Sequence, residues 1–258
     1  MYERASSFII RYDKISLEID NKEKRRKYEL YDCWDSDNPI VRIELQEDEQ
    51  VKIENGSMVY LQNVEIVGKT NSKSKGLGGL VRAAARSLAS GESVFITIAR
   101  GLKNQSQIGI APAIPGKVSC LKVDAMHQYR LNTGAFLASD DQVDYLIKKQ
   151  DLGKAVFGGT GGLFVMETEG VGDILINAFG DLIELEVSDD MPLTIDNEHV
   201  VAWDSNLDYA IRVASGTFGF TTGEGLVNEF HGNGKVWIQT RNIHNLADRI
   251  RPYIPTKS

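Results

Sequence analysis

The chain has 258 residues, 42% of them hydrophobic and 25% charged, which is the composition of a globular protein long enough to bury a sizeable core. Lys plus Arg number 29 against 36 Asp plus Glu, and the formal net charge of −7 removes the whole-molecule attraction that drives most DNA and RNA binding. No apolar run reaches the ~20 residues of a membrane-spanning helix, no secretory signal is visible, and Cys33 and Cys120 lack ligand-like spacing, which sets the expectation of a cytoplasmic protein with reduced thiols.

Residues 1–37 stand apart. Two alternating runs, 8–19 and 28–34, flank the charged stretch 20–27, which predicts a β-hairpin-like extension with a solvated charged tip. A basic docking site for an acidic partner is the alternative reading of that tip. The turn-rich stretch 35–39 leads into one domain over 38–258.

From Val41 the chain goes three times through one pattern. Strand-like runs at 41–45, 118–123 and 182–187 are each followed by a polar turn and then a core-facing pair: Val51 with Ile53, Tyr129 with Leu131, Leu193 with Ile195. Further runs follow at 55–60, 133–138 and 197–202, then at 64–67, 143–147 and 207–213. Each unit closes on two more runs, read as hairpins. The last, 226–230 and 235–241, flanks His231-Gly232-Asn233-Gly234, and Asn-Gly is a strong two-residue turn signal. Repeats of about 41–113, 117–180 and 182–241 cannot each bury an apolar face alone, so they must share a core. The predicted fold is all-β: three internal repeats of short antiparallel strands in a pseudo-threefold prism or barrel.

Two stretches break the β pattern. Residues 69–90 begin as a loop and turn helical near 78–89, where Leu77, Val81, Ala84 and Leu88 share a face. A short C-terminal helix is predicted from Asn242 to just before Pro252.

The first of these stretches also holds Lys69, Lys73, Lys75, Arg82 and Arg86 with no acid among them. Such a local cluster is suited to an anionic membrane surface, RNA or an acidic protein. The competing reading is a solubilising loop whose helix packs on the body. No aromatic residue interleaves the cluster, as single-stranded RNA binding would want.

Catalysis finds no support. Glu92 and Glu224 follow glycines and read as turn acceptors more readily than as general acids or bases. His127, His199, His231 and His244 lack the close spacing of a metal set, and His199 reads as a satisfied, half-buried histidine along a strand. There is no phosphate loop and no Gly-x-Ser-x-Gly elbow. No metal and no cofactor is expected.

An ordered set of motifs resembles a known family: Met58-Val59-Tyr60, Gly91-Glu92-Ser93, Gly116, Gly134 to Ala138, Ala178-Phe179-Gly180, Val201-Ala202-Trp203, Gly223 to Leu226 and Val236 to Arg241. Together they look like the mitochondrial-biogenesis (altered inheritance of mitochondria) family over about residues 40–242. The resemblance implies a fold similar to the tryptophan RNA-binding attenuation protein, with three β-repeats in one chain, and no transferable activity. Eukaryotic relatives imply a scaffolding role. Unit two departs from the family pattern, with Thr160-Gly161-Gly162 where Gly-Glu-Gly is expected, which argues against a thrice-repeated glutamate site.

The reading that follows is a non-enzymatic binding or scaffold protein with a protein partner or self-association, because stacked sheets leave edges that invite pairing. The alternatives are RNA binding by fold analogy, and a small-ligand or metal-binding enzyme with a pocket between repeats.

Overall fold

A computed structural model of the chain describes residues 27–31, 39–70, 95–132, 134–149, 164–214 and 226–255. One strand, β1 (Tyr28–Tyr31), precedes the repeats. The first repeat comprises β2 (Ile40–Leu45), β3 (Gln50–Ile53), β4 (Met58–Gln62), β5 (Val64–Thr70), β6 (Phe95–Gly101) and β7 (Ser106–Ile110). The second comprises β8 (Val118–Val123), β9 (Tyr129–Leu131), β10 (Phe136–Asp140), β11 (Val143–Lys149), β12 (Phe164–Gly170) and β13 (Gly172–Asn177). The third comprises β14 (Leu182–Val187), β15 (Leu193–Asp196), β16 (Val200–Asp204), β17 (Asp208–Val213), β18 (Leu226–His231) and β19 (Gly234–Gln239).

Each repeat divides its six strands between two sheets, and each long sheet is built from two repeats. One sheet runs β5-β6-β3-β10-β13-β8 and the next β11-β12-β9-β16-β19-β14. In both, the second, fourth and fifth strands of one repeat meet the first, third and sixth of the following repeat. The two ends of the series are left as partial sheets, β1-β2-β7-β4 and β15-β18-β17. The all-β expectation and its three repeats therefore hold, but among the described residues no barrel closes. The seam that would close it, β15 against β4, is not made among them.

The core follows the same division. One buried cluster joins Val41, Ile43, Val51 and Ile53 of the first repeat to Leu137 and Leu175 of the second. Another joins Leu121, Leu131 and Ile174 of the second to Val201, Ala202 and Trp237 of the third. A third surrounds Trp203 and Phe230. Burial across seams is what makes the repeats interdependent.

The expected closing hairpins are overturned by the pairing. β18 lies between β15 and β17, whereas β19 lies between β14 and β16, and the two strands do not pair with each other. β12 and β13 part in the same way. Gly232 (φ +104°), and Gly170 and Gly172 (φ +98° and +149°), turn the chain from one sheet to the next, a backbone region that side chains disfavour. Turn chemistry sets the change of direction, while burial of both apolar faces chooses the partners.

The described part of the N-terminal extension is β1, which joins the first repeat by pairing with β2. The C-terminal helix α1 (Ile243–Ile250) starts where expected: the Asn242 side chain caps it by accepting the Asn245 N–H at 2.7 Å. Among the described residues no helix is long and apolar enough to cross a membrane. The helix expected near 78–89 lies outside the described residues.

Candidate functional site

The seams between repeats have a fixed geometry. β3 meets β10 with Ile53 opposite Ala138 and Val51 opposite Asp140. β9 meets β16 with Leu131 opposite Ala202 and Tyr129 opposite Asp204. The residue after each short strand continues the ladder: the Glu54 N–H donates to the Leu137 carbonyl at 2.8 Å, and the Asn132 N–H to the Val201 carbonyl at 2.9 Å. A cation clasps each seam. Lys52 Nζ donates to the Asp141 and Val143 carbonyls at 2.7 and 2.9 Å, and Arg130 to the Leu207 carbonyl at 3.1 Å. The strands held in these seams are buried along their first four residues, Phe136 to Ser139 and Val200 to Trp203.

β4 occupies the same place in the first repeat. It carries the same one-residue bulge, between Met58 and Tyr60, as β10 does between Phe136 and Ala138 and β16 between Val200 and Ala202. Yet all five of its residues are exposed, with Met58 at 46%, Val59 at 54%, Tyr60 at 37% and Leu61 at 39%. At the other end of the series, β15 pairs only with β18 among the described residues. Two residues beyond it, Glu198 pairs with His244 at 2.9 Å and so anchors α1, whose Ile243, Leu246 and Ile250 face outward.

A second feature lies at the end of the same strands. Asp140 Oδ1 accepts from Lys27 Nζ at 2.7 Å and from the Tyr28 hydroxyl at 2.8 Å, and Oδ2 accepts the Asp173 N–H at 2.8 Å. Lys27 also meets Glu49 at 3.3 Å. Burial alone would raise the Asp140 pKa, but the Lys27 charge and these hydrogen bonds hold it below the ordinary carboxylate value. Tyr28, buried and facing Asp140, is raised well above the usual phenol value. Burial, then Asp173 and Asp140, push the nearby Cys120 thiol up to about 12. Lys27 is therefore not part of a solvated tip, as the charge run implied. Its partner lies 113 residues away, beyond what a local run of charge can show.

Asp204 is the counterpart of Asp140 one repeat on. Its Oδ2 accepts the Lys235 N–H at 2.8 Å, and it lines a groove of ≈ 640 Å³ together with Leu121, His127, Tyr129, Glu184 and Trp237. Burial raises its pKa, outweighing the Lys235 N–H bond and the nearby positive charge.

The residues singled out in the sequence are scattered. Lys69 sits on β5 with its backbone opposite Ile96, whereas Lys73, Lys75, Arg82 and Arg86 lie outside the described residues, as do Glu92 and Glu224. His199 lies in a 3-10 turn (Asn197–His199) rather than along a strand. Its Nδ1 is 2.7 Å from the Gln239 carbonyl and its Nε2 3.3 Å from the Asn242 side chain. His127 pairs with Asp124 at 2.9 Å. Among the described residues, no three His, Cys, Asp or Glu side chains gather as a metal-ligating set. Reading the repeats strand by strand placed the run 55–60 beside 133–138 and 197–202 but missed the exposure of β4 and the role of the two aspartates. Aligning Phe136 to Asp140 with Val200 to Asp204 sets both aspartates at one position, though it does not show their partners.

Known proteins resemble the chain over most of its length. An uncharacterized protein of Streptococcus pyogenes serotype M6 is 45% identical over 222 residues, covering 85% of this chain and 88% of the relative. A Streptococcus pyogenes protein of known crystal structure is 40% identical, with a TM-score of 0.72, covering 89% of this chain and all of that one. The model of the mitochondrial biogenesis AIM24 family matches residues 31–241. The repeats, their seams and both free edges fall inside that span, and the chain belongs to the mitochondrial biogenesis AIM24 family.

Proposed function

We propose that this chain is a non-enzymatic binding and scaffold protein working through protein–protein contacts, first of all with further copies of itself. The observation that carries this reading is β4. The chain makes the same seam twice internally, buries the third strand of the repeat both times, and leaves β4 exposed with four large apolar residues on it. An exposed apolar edge is a template for strand addition. The complementary edge, β15, belongs to the other end of the same chain.

Carrying over the register of the internal seams sets Tyr60 of one copy opposite Ile195 of the next, Leu61 opposite Thr194 and Gln62 opposite Leu193. The Asp196 N–H would then donate to the Val59 carbonyl, as Glu54 and Asn132 do within the chain. Sedimentation velocity across a concentration series tests this. Self-association is expected for the native chain and is expected to be lost in Val59→Lys/Leu61→Glu, whose altered side chains are exposed in the single chain and leave its fold intact. A chain that stays monomeric at every concentration would overturn the reading.

A further inference from the structure

The groove at Asp204 is the next copy of one that the chain itself fills. In the filled copy, β1 runs antiparallel along the outer edge of β2 with Tyr28 opposite Ile43, and the Glu44 N–H donates to the Lys27 carbonyl at 2.8 Å. That placement brings the Lys27 ammonium and the Tyr28 hydroxyl onto one oxygen, Asp140 Oδ1, while Oδ2 keeps the Asp173 N–H.

One repeat later each part recurs, and among the described residues no strand takes the place of β1. β8 stands where β2 stood, as the last strand of its sheet. The ladder register puts Leu121 in the place of Ile43 and Lys122 in that of Glu44. Asp204 keeps the Lys235 N–H on Oδ2, and among the described residues no hydrogen-bond donor reaches Oδ1. Glu184 and Glu186 of β14 share the wall with Lys122 and Lys235, and Glu184 is paired with Lys235 at 2.6 Å, so Asp204 is the carboxylate left to meet an incoming cation.

The geometry points to this groove as a docking site for an extended segment of a partner protein bearing a cationic residue followed by a tyrosine. Its backbone would add to the free edge of β8, and its cation and phenol would meet on Asp204 as Lys27 and Tyr28 meet on Asp140. Edge pairing supplies general affinity, and the half-buried carboxylate selects the side chains. One part of the filled groove differs: the place of Glu49, the second carboxylate at Lys27, is held by His127. The external segment is therefore held by fewer charges than the internal one, as suits an exchangeable partner. On entering, it also displaces the Tyr129 hydroxyl from the Lys122 carbonyl, where it sits at 3.2 Å. The site does not depend on association through β4, since it lies within one chain.

The test is calorimetric titration of the full chain with a capped synthetic peptide, Arg-Lys-Tyr-Glu-Leu-Tyr, the sequence of residues 26–31, of which 27–31 line the first groove. Saturable one-to-one binding is expected. Asp204→Asn, which keeps an acceptor for the Lys235 N–H, should weaken it by about tenfold or more. His127→Glu should tighten it by restoring the missing carboxylate, and Val59→Lys/Leu61→Glu should leave it unchanged. Absence of binding, or binding that neither Asp204→Asn nor His127→Glu alters, would overturn the assignment. Binding that appears only after Arg11→Ala/Tyr12→Ala would give the groove to the chain's own second cation–tyrosine pair and overturn an outside partner.

Discussion

Asp140 and Asp204 end equivalent strands and accept equivalent backbone N–H groups, yet their pKa values move in opposite directions. Both are desolvated by burial. Asp140 alone has Lys27 and Tyr28 on its second oxygen, and that difference decides the sign. Asp140→Asn should cost about 1–3 kcal/mol by weakening the partly buried pair with Lys27. Asp204→Asn should fall within about 0.5 kcal/mol of the native chain or stabilise it, since the ionised form is the disfavoured one there. Urea unfolding of the two variants at neutral pH decides this. The pH dependence has two parts. The folded pKa of Asp140 is depressed, so its contribution is complete above the unfolded value near 3.8 and is lost as pH falls through the folded value. The folded pKa of Asp204 is raised, so its small penalty at neutral pH disappears as pH falls toward 3.8. In Asp140→Asn, the loss of stability below about pH 4 should be visibly shallower than in the native chain. Neither aspartate was legible as a site in the sequence, because each partner set comes from strands far apart in the chain.

At the scale of elements, the three repeats solve one packing problem with different volumes. Where the third strand meets the sixth just past the bulge, the opposed pairs are Ala138 with Leu175, Ala202 with Trp237, and Tyr60 with Gly109. Two repeats set a small residue opposite a large one, and the first reverses the order. A Cβ added to Gly109 would run into the Tyr60 ring. Gly109→Leu alone should therefore destabilise by about 2 kcal/mol or more through overpacking. Tyr60→Ala/Gly109→Leu, which restores the arrangement of the other repeats, should recover at least half of that loss, a coupling that a double-mutant cycle in urea would measure. The strands were legible because alternation and the recurring anchors Ile53, Leu131 and Ile195 are local signals. The closing hairpins were misread because Asn233-Gly234 reports a turn and not a partner. The choice of partner is made by burial across the seam, and a single repeat read alone does not contain it.

At the scale of the whole molecule, triplication makes the chain directional, with β4 open at one end of the series and β15 at the other. The repeat count could be read from the sequence, but closure could not, since it depends on the angle each seam imposes on the next. The open seam also differs from the internal ones in its clasp. Lys52 and Arg130 reach across theirs, but the corresponding residue of β15 is Thr194, too short to do so. A contact between chains at this seam should thus be weaker than its internal counterparts, and reversible. Head-to-tail joining of unlike edges is heterologous, and a decisive experiment follows from that asymmetry. Val59→Lys/Leu61→Glu blocks β4 and leaves β15 intact. Thr194→Pro blocks β15, removing a backbone N–H that by the internal register points at the seam rather than at β18. Each variant alone should sediment as a monomer. An equimolar mixture should form a one-to-one dimer and nothing larger, because only one competent edge remains on each partner. Self-association of Thr194→Pro alone would mean that β4 pairs with β4 across a twofold axis, and the directional model would then be wrong.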